Sequence, residues 1–517
     1  MNARPQVVAA LRAKPMHAMT DCKAAPAFHL DGVPLAPLLT EALQEAWHAI
    51  DRGIRPAIQA ATARALALGA RMAHCTSANA LEELDAIAAI AATWGDDATH
   101  ATLQAQAVLR RSPSTRIQAE LIRTLKIGYW RSRDFESLYR LYAAHRTPTQ
   151  LSEASTEAGH LSIDAAIEAD QLRLKSAERL AKAALALCEA SVACKSPISS
   201  LSRCLLAHIA YEVGDVAQAD AMLRGQLSLI EQSGSIESAL FAFDTSANIA
   251  FAGGNDSLAF SILRQAELTG KRLGWKRLAL QSASHQATLH IYQDRLDLAE
   301  DAMFRCRDIV SSPDHGINGV ADTWPFTIAM LHFKLATKDA SLHVSSELEH
   351  HIQRSVAQRH PAVEIRLRQM LACALNRAGR PAEADVELVN ALHRGCEAGL
   401  YRSFVDHLPM IEEHLQRLHK RSIDGSLHHL SAYIDSLLPE PAVTRITREV
   451  VRLPIVLSKK ETAVLHLIRL GLSNKSIARE MHVAPETVKS HVKRVFIKLA
   501  SRTRAEAVSR AQDLGFI

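Results

Sequence analysis

The chain has 517 residues, 48% of them hydrophobic, only 5% aromatic and 22% charged, with a net charge of +5 at pH 7. That length and an alanine- and leucine-rich composition indicate a soluble, multi-domain, mostly helical protein. No apolar run approaches the ~18 residues of a membrane helix, the N-terminus lacks a secretory core region, and the eight cysteines form no CxxC pair, which fits reduced thiols in a cytoplasmic protein.

Residues 1–40 carry Pro5, Pro15, Pro26, Pro34 and Pro37 among alanines, which predicts a loosely ordered arm. From 41 to 436 the chain repeats. Gly214-Asp215 precedes Ala219, Gly254-Asn255 precedes Ala259, and Asp294-Arg295 precedes Ala299, each mark forty residues after the last. Gly379 with Ala384 stands 85 residues further on, close to two more steps, and fainter turns fall at Gly53, Gly95 and Asp134. Helical periodicity flanks the first mark, with Leu206, Ile209 and Ala210 before it and Ala219, Met222 and Leu223 after it. The pattern predicts an all-α solenoid of helical hairpins, with a glycine or aspartate at each turn and a small alanine where two helices cross. One hairpin cannot bury its own apolar face, so neighbours must stack into a curved array with a concave groove. Pro439-Glu440-Pro441 then breaks the helix, and residues 437–457 are expected to form an extended linker.

The last segment, 458–517, reads as four short helices. Ser458 with Glu461 is a capping box before Val464, Leu465, Leu467, Ile468 and Leu470, and Gly471 stops that helix. Ser473 caps a second helix burying Ile477, Ala478 and Met481; Pro485 fits the first turn of a third. On that third helix Val488, Val492, Val495, Phe496 and Leu499 form one apolar stripe, while Glu486, Ser490, Lys493 and Arg494 face away, with Thr487 and Lys489 on the flanks. Thr503 can cap a fourth helix carrying Ala507, Val508, Ala511 and Leu514. The segment has a net charge of +7, which leaves −2 for everything upstream. Positive charge is thus concentrated where a helix-turn-helix would meet phosphates.

This segment resembles the C-terminal DNA-binding domain of LuxR-type transcription regulators. The resemblance implies groove contacts from Lys489, Ser490 and Lys493, with Arg494 on the same polar face. It implies phosphate contacts from Thr487, Ser473, Asn474 and Lys475. It also implies that the fourth helix, through Arg504, Ala507, Val508 and Ala511, forms a two-fold contact between DNA-bound protomers. Two departures stand out: Ser476 where the family often has a glutamate, and Ala484 before Pro485 where a Ser or Thr cap is usual. The repeat region resembles the tetratricopeptide-like superhelix of MalT-type regulators, which usually carry an ATPase module ahead of it. Here no G-x-x-x-x-G-K-[ST] occurs, and Gly270-Lys271 is followed by Arg272, so the chain reads as a regulator without that nucleotide switch.

The remaining candidates have plainer readings. His350-His351 and His428-His429 point about 100° apart on a helix and lack further ligands, so surface histidines are expected and no metal. Cys188, Cys194 and Cys204 read as packing, and Trp130, Tyr211, Phe241 and Trp324 as core between hairpins rather than groove lining. No nucleophile–base constellation stands out, so neither an enzyme nor a cofactor is expected. The expected function is a DNA-binding transcription regulator whose repeats sense a ligand or protein. Its expected partners are double-stranded DNA, RNA polymerase, an effector in the groove and a second copy on DNA, with no membrane. The rival is a helical-repeat scaffold or peptide receptor with only auxiliary DNA contact.

Overall fold

The computed structural model describes residues 29–30, 33–72, 77–111, 113–145, 154–190, 198–311, 323–337, 341–423, 427–438, 459–469, 472–481, 483–498, 503–504, 507–508 and 511. Apart from a two-residue antiparallel pairing of His29–Leu30 with Val33–Pro34, these residues are helical or lie in turns. Of the linker expected over 437–457, Leu437 still belongs to the helix His428–Leu437; residues 439–457, with Ser458, Gly471, Cys194 and Leu499, lie outside the described ones.

The helical-repeat unit begins at Leu35, six residues earlier than the prolines suggested, in the helix Leu35–Arg52. Pro37 is its third residue. The first N–H groups of a helix have no intrahelical acceptor, so a proline there breaks nothing. Successive helices then pair across tight turns: Leu35–Arg52 with Arg55–Arg71, Ala154–Asp170 with Leu174–Ala190, Lys276–Tyr292 with Leu296–Ser311, and Pro361–Arg377 with Pro381–Ala398.

The turns share one backbone device. A residue with positive φ sits at Gly53, Asp96, Arg133, Leu172, Gly214, Gly254, Asp294 and Gly379. The amide just after it bonds back to a carbonyl five residues earlier, as in Asp97 to Ala92, Asp134 to Tyr129, Arg173 to Glu168, Asp215 to Ala210 and Arg380 to Leu375. That bond closes the first helix in a Schellman turn. The same residue then starts the second helix: Asp97, Asp134 and Asp215 each accept the amide three residues on with their own carboxylate. Four residues past the cap stands a fully buried small or apolar side chain, Ala101, Leu138, Ala177, Ala219, Ala299 or Ala384.

The expected marks at Gly214, Gly254, Asp294 and Gly379 therefore fall on the turning residue itself. At two fainter marks the register differs by one, because Asp96 rather than Gly95 and Arg133 rather than Asp134 take the left-handed conformation. Leu172 completes the series without a glycine, asparagine or aspartate to announce it.

The two helices of a hairpin are buried differently. Pro381–Ala398 buries Ala384, Asp385, Leu388, Ala391, Leu392 and Gly395, a single stripe at helical spacing. Pro361–Arg377 buries residues all round its circumference, from Val363 to Leu375. First helices also pack on the first helices of adjoining hairpins, Leu35–Arg52 on Ala78–Trp94, Thr115–Arg131 on Ala154–Asp170, and Lys276–Tyr292 on Trp324–Ala336. They form an inner layer, with second helices outside it.

The C-terminal unit contains the helices Lys459–Arg469, Asn474–Glu480 and Pro485–Lys498, and helical residues at Arg504, Ala507, Val508 and Ala511. Its core is Val464, Ile468, Ile477, Ala478, Val488 and Val492, with Leu467, Leu472, Met481, Val483, Phe496 and Val508 packed around it. No helix among the described residues is long and apolar enough to cross a membrane.

Candidate functional site

In the C-terminal unit, local sequence fixes the starts of the second and third helices. The Ser473 hydroxyl accepts the Ser476 amide at 3.2 Å, and the two hydroxyls lie 2.9 Å apart. Ser476 thus keeps the cap despite replacing the usual glutamate. Only the return bond of a capping box is forgone. At the third helix, the Ala484 carbonyl accepts from Thr487 at 3.0 Å and Val488 at 3.3 Å, while Pro485 occupies the first helical position, where no amide is needed.

That third helix is divided as its sequence indicates. Val488, Val492 and Val495 are buried; Glu486, Thr487, Lys489 and Lys493 are exposed. The side chains of Ser490 and Arg494 lie outside the described ones. Lys489 leans on Glu486 at 3.4 Å, with both side chains largely exposed. A pair so solvated is worth about 0–1 kcal/mol, so a phosphate can compete for the ammonium. Ser473 and Lys475 are also exposed, at the start of the second helix.

Arg504, expected at a two-fold contact, instead reaches back within its own module. Its guanidinium donates to the Leu472 carbonyl at 2.6 Å and to the Asn474 side-chain oxygen. Ala507 and Ala511 are fully buried and Val508 packs on the core. Two of these four positions are buried inside the module, Val508 is partly buried against its core, and Arg504 clamps the turn before the second helix. The Asn474 oxygen is correspondingly engaged, which leaves its amide nitrogen as the group able to meet a phosphate.

The helical-repeat unit carries a second candidate site, an open-mouthed cavity of about 530 Å³ lined from the inner layer of first helices. Its walls carry Trp130, Tyr211, Phe241 and Trp324, all expected as core. Each projects from an inner helix, so packing against neighbours and lining the cavity are compatible. Most of its charges are already satisfied. Arg133 chelates Asp170 at 2.8 and 2.9 Å, Arg402 pairs with Asp406, and Arg131 and Arg277 share Glu237 at 2.6 and 3.0 Å. Burial pushes the Glu237 carboxyl up, but the two guanidiniums hold it below the usual carboxylate range. Burial wins at Asp406, which rises to about 6 despite Arg402 and Tyr211. Asp244 meets His285 at 2.8 Å, and Glu212 accepts from the Ser403 amide and hydroxyl at 3.2 and 2.8 Å.

Elsewhere, His350, His428 and His429 are exposed as expected, His429 stacking on His393 with ring centroids 4.7 Å apart, while His351 is half-buried edge-on to Trp324. Among the described residues no group of three or more metal-ligating side chains comes together. The cavity's polar residues were not legible as a set. They are scattered over some 280 positions, and the only trace is a charge inside an apolar helical stretch, such as Arg366 between Ile365 and Leu367.

Comparison with known proteins places both regions of the chain in known families. Residues 455–511 match the model for bacterial regulatory proteins of the luxR family, and residues 82–421 match the MalT-like TPR region. The HTH-type transcriptional regulator MalT of Klebsiella pneumoniae (strain 342) is 32% identical over 158 residues, 26% of this chain and 17% of that protein. The namesake from Cronobacter sakazakii (strain ATCC BAA-894) is also 32% identical over the same shares. In each case the matched part spans only 17% of the relative's length. Among solved structures, a Rap protein complexed with competence and sporulation factor superposes with a TM-score of 0.53 at 12% identity, covering 70% of this chain and 99% of that one. That likeness is one of fold.

Proposed function

Because this chain belongs to the family built on the MalT-like TPR region and ends in a luxR-family domain, we propose that it is a transcription regulator whose repeats report a bound effector to a DNA-binding module. One observation carries the reading: the third C-terminal helix commits its valines to the core and leaves Thr487, Lys489 and Lys493 in solvent. A major-groove helix needs that division, since base and phosphate contacts must come from side chains the fold does not require. Lys489, Ser490, Lys493 and Arg494 are the proposed groove-facing set, with Thr487, Ser473, Asn474 and Lys475 on phosphates.

Pairing of two modules on half-sites about one helical turn apart is part of the proposal, as is contact with RNA polymerase. Since Ala507 and Ala511 are buried within one module, pairing would use other surface of the fourth helical segment. The cavity supports the sensing half, and in the Rap protein a comparable fold is complexed with competence and sporulation factor. An effector shifts the regulator only by binding its two states unequally.

Gel shifts over a salt series test the DNA half. Lys493→Ala should lower specific affinity by about 1–3 kcal/mol and relax sequence preference, whereas Lys475→Ala should weaken all duplexes alike and reduce the salt slope by about 1. Unchanged binding of genomic fragments by both variants would leave the scaffold reading in possession.

A further inference from the structure

Arg366 differs from every other arginine of the cavity. It is 7% exposed, lies on the inner helix Pro361–Arg377 and lines the cavity, yet no carboxylate among the described residues comes within ion-pair distance. One terminal nitrogen donates to the Tyr292 hydroxyl at 2.7 Å and the other reaches the Gln369 side-chain oxygen at 3.4 Å. A guanidinium has five N–H donors, so these two bonds leave donors over. Tyr292 in turn shares a hydrogen bond with His407 Nδ1 at 2.5 Å and meets His332 edge-on. Burial, reinforced by Arg366, holds both histidines well below their ordinary value, so they stay neutral and do not compete for an anion. Burying a guanidinium without a counter-ion is costly unless a partner arrives to neutralise it.

We propose that Arg366 anchors the carboxylate of a small apolar or aromatic ligand, either a free organic acid or a peptide C-terminus, bound in this cavity. The inference rests on the sensing role proposed above. A carboxylate fits better than a phosphate. A phosphate brings up to two negative charges and three acceptor oxygens, and the cavity's other arginines are already bound to Asp170, Glu237 and Asp406. Asp244 and Glu212, with no arginine or lysine among the described residues in contact, would oppose a second negative charge. The body of the ligand would lie against Trp130, Phe241 and Trp324, and the volume suits a molecule of drug or short-peptide size.

The test uses the full chain and four probes: 3-phenylpropionate, 3-phenylpropionamide, and the tripeptide Gly-Leu-Phe with a free or an amidated C-terminus. Calorimetric titration should show at least one acid binding about tenfold or more tighter than its own amide, the difference a buried charge-assisted hydrogen bond makes. Whether the organic acid or the free peptide binds better identifies the source. Arg366→Gln should erase the preference for acid over amide. Should that variant misfold, Arg366→Lys, which keeps the charge without the fork, should retain a reduced preference. Equal binding of acids and amides, or an Arg366→Gln protein that still prefers acids, overturns the Arg366 assignment but leaves the cavity a ligand site. Failure of all four probes to bind counts against both.

Discussion

Arg504 shows how one side chain can couple a fold to its surface. It joins the fourth helical segment to the turn ahead of the second helix, through Leu472 and Asn474. Replacing it with alanine should cost about 1.5–3 kcal/mol, the range for bonds to a charged group, and should weaken DNA binding although the residue need not touch DNA. Urea unfolding of the full chain followed by a gel shift checks this, and a variant of full stability would refute the clamp. His160 offers a second residue-scale test. Burial, with Lys126 and Arg123 nearby, lowers its pKa to about 3, against a weaker raising effect of the Ala119 carbonyl 3.1 Å from Nε2. The unfolded chain therefore binds the extra proton between about pH 3 and the ordinary 6.5. Stability from neutral His160 is complete above that window and falls by about 1.4 kcal/mol per unit as pH drops through it. Denaturation at pH 7.5 and 5.0 should show His160→Gln losing about 2 kcal/mol less than the parent. Equal losses would mean that His160 titrates normally.

At the scale of the helix, small residues set how closely elements approach. Gly395 lies on Pro381–Ala398 where an added Cβ would run into the Phe404 ring and stand 2.7 Å from the Tyr433 hydroxyl. Gly395→Ala should therefore cost about 1–3 kcal/mol by overpacking. Gly379 is the contrasting case: a Cβ there meets nothing within 4 Å, and only its φ of +74° resists substitution. Gly379→Ala should cost about 1–2 kcal/mol from backbone strain alone. If thermal unfolding at two pressures shows the larger volume effect for Gly379→Ala, the packing explanation for Gly395 is wrong. The turns obey the same economy of space. The buried alanines at 219, 299 and 384 stand one turn past the cap, where two helices are nearest, and larger side chains there would force the hairpin apart.

Across the helical-repeat unit, buried charge ties distant hairpins together. Asp96, Arg131, Glu237 and Arg277 come from four separate stretches, and Arg277 reaches Asp96 at 2.8 Å across 181 positions of sequence. Their side chains are between 1% and 13% exposed, so removing one partner strands the others. Glu237→Ala should destabilise by about 3–5 kcal/mol, because two guanidiniums lose the carboxylate they share. The measurement is global unfolding monitored by circular dichroism. A loss under 1 kcal/mol would mean that water or a neighbouring carboxylate takes over.

The sequence by itself determined the helical hairpins, their forty-residue pitch and the division of the third C-terminal helix, because each rests on interactions spanning one or two turns of chain. A glycine free to take positive φ, a serine three residues ahead of an amide, and valines at helical spacing act locally and leave local marks. Arg133 and Leu172 mark the edge of that legibility: they turn the chain in the left-handed conformation only because the hairpins on either side hold them there. Tertiary structure alone decided the cavity. Arg366, Tyr292, His407 and the shared Glu237 meet because inner helices stack, and stacking depends on surfaces far apart in sequence. It also turned Ala507 and Ala511 inward, since the burial of a helix face depends on what packs against it rather than on its own pattern.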